Sequence, residues 1–288
     1  MDRVLVTGGA GFIGSHLCEE LVKTCEVHSL DNYFSGSENN HVNGVNYIKG
    51  DTKDISELID FDPDIIFHLG EYSRVERSFE DIENVFELNS IGTFKVLEFA
   101  RNTGAKIIYS GSSTKFGDGG LGKNASPYAW SKFVNSELVK NYASWFGVNY
   151  AITYFYNVYG NREISTGPYA TLVGIFKTKM KNNEPLTVVS PGSQIRNFTH
   201  VDDIINGLIL VAKYGSGDEY GIGSKESFSV LEIAQFFGGE IQYLPERKGN
   251  RMESDVLTKK IRSLGWQEKN SIVNYINKLR ADNWQQID

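Results

Sequence analysis

The chain has 288 residues, with 36 acidic against 29 basic side chains, a net charge of −7 and 40% hydrophobic residues. That is an ordinary globular composition, long enough for one large domain or two modest ones. It excludes a broad nucleic-acid surface, which needs a basic face, but leaves room for a local basic pocket.

The first half alternates short apolar runs with amphipathic stretches. "RVLVTG" reads as a strand, and "IGSHLCEELVKTC" as a helix with Ile13, Leu17, Leu21 and Val22 on one face. "EVHSLDN", "VNYIKGD" and "DIIFHLG" read as the next three strands. "ENVFELNSIGTFKVLEFARNTG" predicts a long helix that ends in glycine, and "KIIYSGS" a fifth strand. "PYAWSKFVNSELVKNYASWFG" has proline in its first turn and glycine at its end, as a helix should. "NYAITYFYNVYG" predicts a sixth strand. Beyond it "GPYATLVGIFKTKMKNNE" predicts a helix, and "LTVVSPGSQIRNFTHVDDIINGLILVAKYG" a strand, a turn, a strand and a helix.

Strands alternating with helices imply a Rossmann-type, doubly wound α/β fold with a parallel sheet. The expected division is a sheet domain over 1–160 plus about 194–214, and a smaller mixed α/β C-terminal lobe over 161–193 and 215–288. Ligands of such sheets bind beyond the carboxyl ends of the strands. The unusual residues fall there: Gly8, Asp31, Asp51, Gly70, Ser112 and Asn157.

"TGGAGFIG" leaves the first strand and opens the first helix, with Gly8, Gly11 and Gly14 in G-x-x-G-x-x-G spacing. Glycine there permits a tight turn and close approach of a pyrophosphate to backbone N–H groups at a helix N-terminus. Phe12 and Ile13 lie between these glycines. Asp31 ends the second strand, where a carboxylate accepts hydrogen bonds from both ribose hydroxyls and repels a 2′-phosphate. The expected cofactor is therefore NAD rather than NADP. Asn32, Asp51, Thr52, Leu69 and Gly70 end neighbouring strands and are expected along the same site.

"SGSSTKFGDGGLGKNASPYAWSK" offers two readings. Gly117 to Asn124 fits a nucleotide-hydrolysing phosphate loop except at its last position, where Asn124 stands in place of a magnesium-binding hydroxyl. The other reading places the chemistry on Ser112, Tyr128 and Lys132. Tyr128 and Lys132 are four apart on a helix and share a face. A free tyrosine titrates near ~10. A neighbouring ammonium and a cationic nicotinamide favour its phenolate. With a serine hydroxyl on the same substrate oxygen, this set can take a proton from an alcohol while hydride leaves.

The chain resembles the extended short-chain dehydrogenase/reductase family, and within it the nucleotide-sugar epimerases and dehydratases. The carriers are "TGGAGFIG", "LDNYFSG", "HLGEYSRVERS", "LNSIGT", "SGSSTKFG", "YAWSK", "YNVYG", "RNFTHVDD" and "RKGNRMESD…IRSLGW". The resemblance implies catalysis by Tyr128, with Lys132 on the nicotinamide ribose and Ser112 as the catalytic hydroxyl. It puts Asn89 in the long helix near the active site, and Asn157, Arg196 and Arg247 at a nucleotide diphosphate, with Arg251 as a further cation. Tyr154 stands where the family has an arginine, and Asn197 where it has aspartate.

The family shares oxidation at C4 of the sugar and then diverges. Dehydratases carry an acid-base pair directly after the catalytic hydroxyl. Here those places hold Ser113 and Thr114, which argues for an epimerase. "HLGEYSRVERS" looks more like the dehydratases, with Tyr72 at their glutamate position and Glu71 one place earlier. Glu71 is either a substitute acid-base group facing the sugar or the partner of Arg74 or Arg77. The alternatives are a C4 dehydrogenase, a 4,6-dehydratase, or a NAD-binding scaffold without catalysis.

The resemblance also implies a homodimer through helices at about 82–102 and 127–146, the second presenting Val134, Leu138, Tyr142 and Trp145 with Phe133 and Val139 beside them. Cys18 and Cys25 read as reduced thiols, and no histidine–cysteine set has metal-ligand spacing, so no metal is expected. With no basic segment before a long apolar run and no apolar stretch of membrane length, the expectation is a cytoplasmic protein.

Overall fold

The structure, a computed structural model, describes residues 1–116, 122–245 and 256–284. The chain enters through β1 (Arg3–Thr7), α1 (Phe12–Leu21), β2 (Glu26–Asp31) and β3 (Asn46–Lys49), adds the single turn α2 (Ile55–Leu58), and continues in β4 (Ile65–His68). Helix α3 (Ile82–Val85) runs through a π turn at Phe86–Ile91 into α4 (Gly92–Thr103), followed by β5 (Lys106–Ser112) and α5 (Pro127–Phe146). Then come β6 (Tyr150–Phe155), β7 (Val158–Tyr159), α6 (Leu172–Lys181), β8 (Leu186–Val189), β9 (Ile195–Asn197), β10 (Thr199–His200) and α7 (Val201–Tyr214). The last described elements are β11 (Gly217–Ile222), β12 (Ser227–Ser229), α8 (Val230–Phe237), β13 (Ile241–Leu244), α9 (Lys259–Ser263) and α10 (Ile272–Ala281).

Seven strands form one sheet in the order β11-β6-β5-β4-β1-β2-β3. Every pairing in it is parallel. Its central strands are buried on both faces, so β4 is buried at all four positions. One core joins the sheet to α1 and α7 through Leu17, Leu21, Ile204 and Leu208. The other joins it to α4 and α5 through Val96, Leu97, Phe99 and Val139. Each such side chain contributes about 1.5–3 kcal/mol by leaving water. A third core, with Phe176, Leu186, Val188, Phe237 and Ile276, belongs to the lobe.

The structure differs from the sequence reading in four places. Residues from 215 onward were expected in the lobe, yet β11 is the seventh strand of the central sheet, and Ile261 of α9 and Trp266 pack into the sheet's first core. "GDEYGI" escapes periodicity because its apolar positions are few. The expected sixth strand is broken at Asn157, whose φ of 35° turns β7 away to pair with β10. The long helix carries a π turn at Phe86–Ile91, an insertion that apolar spacing does not show. The expected dimer face on α5 is partly internal. Val139 and Tyr142 are buried, and the Tyr142 hydroxyl donates to Glu98 Oε1 at 2.8 Å on α4. Between residues 76 and 146 the large apolar side chains left exposed among the described residues are Phe79, Ile82, Phe86, Phe94 and Trp130, together with Ile91, Trp145 and Phe146.

Candidate active site

A cleft of about 460 Å³ opens where the sheet order reverses, between the carboxyl ends of β1 and β4, and runs on toward the lobe. Its first wall is the turn after β1. Gly8 adopts φ +77°, and a Cβ there would lie 2.8 Å from Gly70 N. A Cβ on Gly14 would lie 2.0 Å from Gly8 O, so α1 and the turn touch backbone to backbone. Gly11 caps α1 without any side-chain hydrogen bond, and no acidic residue stands in the first turn. The helix therefore presents amides and positive potential to the cleft, as a pyrophosphate requires.

Asp31 is 7% exposed and lines the same wall. Its carboxylate accepts from Ala10 N at 2.9 Å and Tyr33 N at 2.8 Å, while burial pulls its pKa upward. Phe12, Ile13, Asn32, Thr52, Leu69 and Gly70 also line the cleft. Glycine cradle, open helix terminus and carboxylate together fit a dinucleotide lacking a 2′-phosphate. Replacing Asp31 with serine should narrow the preference for NAD over NADP by at least tenfold, as read by titration calorimetry with both cofactors.

Two residues expected at the cofactor stand back from it. Asp51 lies beside the cleft and accepts the Asn32 amide at 2.6 Å, leaving Gly50 and Thr52 to form the wall. Asn89 lies in the π turn and is fully buried. Its Oδ1 accepts from Tyr72 N at 2.6 Å and its amide donates to Ser131 Oγ at 3.0 Å. It ties the loop after β4 to α5 and does not line the cleft.

Ser112, Tyr128 and Lys132 all line the cleft. Ser126 caps α5 by accepting from Ala129 N at 3.1 Å, which sets the tyrosine and lysine on the turn facing the strand ends. Ser112 Oγ accepts from Thr114 Oγ1 at 2.9 Å. Lys132 is buried, and its ammonium donates to Ser110 O at 2.5 Å and to Glu71.

Glu71 pairs with neither arginine. Arg77 pairs with Glu80 at 2.5 Å, and Arg74 donates to the carbonyl of Tyr169. The Glu71 carboxylate instead accepts from Lys132, Thr93 Oγ1 at 3.0 Å, Tyr109 OH at 3.1 Å and Asn135 Nδ2 at 3.1 Å. Three of these donors meet Oε1 and Lys132 meets Oε2, so Glu71, which lines the cleft, is the partner of the lysine of the Tyr-x-x-x-Lys pair and not of an arginine.

Behind Glu71 the chain of donors continues. Gly70 N donates to Thr7 Oγ1 at 3.0 Å, and Thr7 Oγ1 meets His68 Nδ1 at 2.7 Å. His68 Nε2 meets Thr93 Oγ1 at 3.0 Å. Burial pushes His68 down to about 4, so the ring is neutral. Because Thr93 donates to Glu71, the His68 proton belongs on Nε2. Sequence reading missed His68, Thr93, Tyr109 and Asn135. Polar residues at the ends of otherwise apolar strands, Thr7, His68 and Ser110, were the available signal.

At the far end Asn157 and Arg196 line the cleft, and Asn157 Nδ2 donates to Asn197 O at 3.0 Å. Asn197 donates to Ser224 O at 3.1 Å and Glu226 O at 3.3 Å, contacts an aspartate could not make. Tyr154 is fully buried and faces away, donating to Asp218 at 2.7 Å. Arg247 and Arg251 lie outside the described residues, as do positions 117–121 of the phosphate-loop reading.

A Rossmann sheet with a dinucleotide cradle, a serine at a strand end and a Tyr-x-x-x-Lys helix defines the nucleotide-dependent short-chain class. The sequence model described as "NAD dependent epimerase/dehydratase family" matches residues 4–223, and the chain belongs to that family. It is 31% identical to a Methanocaldococcus jannaschii protein named "Putative UDP-glucose 4-epimerase", over 98% of this chain and 97% of that one. It is 32% identical to the UDP-N-acetyl-alpha-D-glucosaminuronate decarboxylase of Bacillus cytotoxicus, over 81% of this chain and 78% of that one. Among solved structures, the UDP-glucose 4-epimerase of Thermus thermophilus in complex with NAD superimposes with a TM-score of 0.88 at 28% identity, covering 98% of each chain. The cofactor is NAD. No helix among the described residues is long and apolar enough to cross a membrane, and no group of potential metal ligands occurs among them.

Proposed function

We propose that the protein is a NAD-dependent nucleotide-sugar epimerase acting at C4. NAD, when held by the Gly8–Gly14 turn and Asp31, would supply the hydride acceptor and donor for C4. Tyr128 takes the proton of the C4 hydroxyl, Ser112 donates a hydrogen bond to the same oxygen, and Lys132 steadies the site. Asn157, Arg196 and Arg247 hold the diphosphate, arginine through its bidentate fork. The 4-keto sugar then presents its other face and recovers the hydride with inverted C4.

The observation that carries this reading is what surrounds Ser112. The next two residues are Ser113 and Thr114, and Thr114 spends its hydroxyl proton on Ser112. Elimination of water needs an acid-base pair beyond the shared oxidation. Among the described residues the carboxylates lining the cleft are Asp31, which holds two backbone amides, Glu71, which holds Lys132, and Glu76.

The test is incubation with UDP-, GDP- and CDP-sugars, NMR of the sugar product and absorbance at the NADH band. A product of unchanged mass with inverted C4 is expected. A 4-keto product with loss of water would replace this reading by a dehydratase, loss of carbon dioxide by a decarboxylase, and accumulating NADH with neither by a C4 dehydrogenase.

The homodimer is proposed through a second copy seated on Phe79, Ile82, Phe86, Phe94 and Trp130. The Phe86 and Trp130 rings lie 5.5 Å apart, and apolar side chains exposed along residues 79–94 and on α5 suit a self-complementary interface. Light scattering at micromolar concentration should give twice the 32.3 kDa of one chain. Trp130→Asp should shift the mass to the monomer, and a monomeric wild type would remove the proposal.

A further inference from the structure

We propose that Glu71 is a positioning residue of this active site: a built-in counter-ion that fixes the Lys132 ammonium at Ser110 O and cancels much of its charge at Tyr128. The inference rests on Tyr128 as the base but not on the fate of the sugar.

The geometry is specific. The side chains of Lys132 and Glu71 are 6% and 2% exposed, so the pair is screened little by solvent. Breaking a buried pair by removing one partner is costly, because it leaves an unpaired buried charge. The carboxylate is itself held from three elements. Thr93 reaches it from α4, Tyr109 from β5 and Asn135 from α5. Thr93, Tyr109 and Asn135 meet Oε1 and Lys132 meets Oε2, so the carboxylate is held at both oxygens and its place beside the ammonium is fixed. It acts on the reaction only through Lys132 and through its own field.

Consider every described group facing this pair. From β4 comes His68, which is neutral. From β5 come Tyr109, held protonated well above neutral pH by burial, and the Ser110 carbonyl. From α4 and the π turn come Thr93 and Asn89, both uncharged. From α5 come Tyr128, Lys132 and Asn135. From the loop after β4 comes Arg74, largely buried and within electrostatic range of Tyr128. With Lys132 matched by Glu71, a second cation near Tyr128 is Arg74, itself within range of the Glu163 carboxylate. A lone ammonium beside a phenol lowers its pKa, whereas an ammonium matched by a carboxylate does so far less.

Tyrosinate absorbance against pH tests this on the NAD-loaded enzyme without sugar. Each variant is measured with and without Tyr128→Phe, and the difference isolates Tyr128 from the other 14 tyrosines of the 15. Glu71→Gln removes the negative charge and keeps the shape. It should lower the Tyr128 midpoint by roughly one pH unit, and Glu71→Asp should restore it toward wild type. An unchanged midpoint in Glu71→Gln overturns the proposal. Lys132→Met should raise the midpoint, because it leaves Glu71 uncompensated. The double variant Lys132→Met/Glu71→Gln removes both charges of the pair and so avoids the unpaired buried charge that each single leaves. It should titrate within a few tenths of wild type. A double variant titrating well above wild type would mean that Lys132 acts on Tyr128 uncancelled, and would equally overturn the proposal. Failure of the epimerase reading would show in the sugar products and leave these midpoints untouched.

Discussion

Replacing Tyr128 with phenylalanine lowers kcat on the accepted nucleotide sugar by about 10²–10⁴-fold, the usual contribution of a positioned proton-transfer group. The ring remains, so α5 keeps its packing, and NAD binding and KM for the sugar change little. Ser112→Ala costs less, about tenfold, because it removes one hydrogen bond between neutral groups. Steady-state kinetics with a calorimetric check on NAD binding separates these effects. A Tyr128→Phe variant with wild-type kcat would take the tyrosine out of the chemistry. A variant that lost NAD as well would show that the hydroxyl serves cofactor binding instead.

The second large effect is expected at Gly14. An alanine Cβ there meets Gly8 O at 2.0 Å, Gly8 C at 2.8 Å and Gly9 Cα at 2.9 Å, all of them backbone atoms. No rotamer relieves that contact, so α1 must withdraw from the turn. Overpacking of this kind costs about 1–3 kcal/mol, which lowers Tm by about 2–4 °C per kcal/mol in a chain of this size class. Withdrawal also misaligns the helix amides with the pyrophosphate, and NAD affinity should fall more than tenfold. Gly11 is the internal comparison, since a Cβ there meets only Gly8 O, at 3.2 Å. If Gly14→Ala matched wild type in both Tm and NAD titration, close backbone approach would not be what the glycine provides.

These two residues were legible in the sequence because their signals are local. The glycine spacing states where a helix must touch a turn, and Tyr128 and Lys132 declare a shared face by their separation of four. The sheet domain was legible for the same reason as far as β6, each strand being a short apolar run bounded by turn residues. Glu71 was visible as an oddity, but its partner was not. The pair joins positions 61 apart, and nothing in the spacing of a carboxylate and a lysine in two different elements says that they meet. The π turn stayed hidden because one extra residue per turn leaves composition untouched, although it is what sets Asn89 between Tyr72 and Ser131. Strand β11 stayed hidden because an edge strand containing Gly217, Asp218, Glu219 and Gly221 has too few apolar positions to show alternation.

That last strand bears on how the chain is made. The sheet closes with residues 217–222, which emerge only after α6, β8 and β9 of the lobe have been synthesised. A fragment ending near residue 160 would leave β6 as an open edge along which Ala151, Thr153, Tyr154 and Phe155 present unpaired backbone. During synthesis the nascent sheet therefore waits, edge exposed, until α6, β8 and β9 of the other unit have appeared, and the two units mature together rather than in turn.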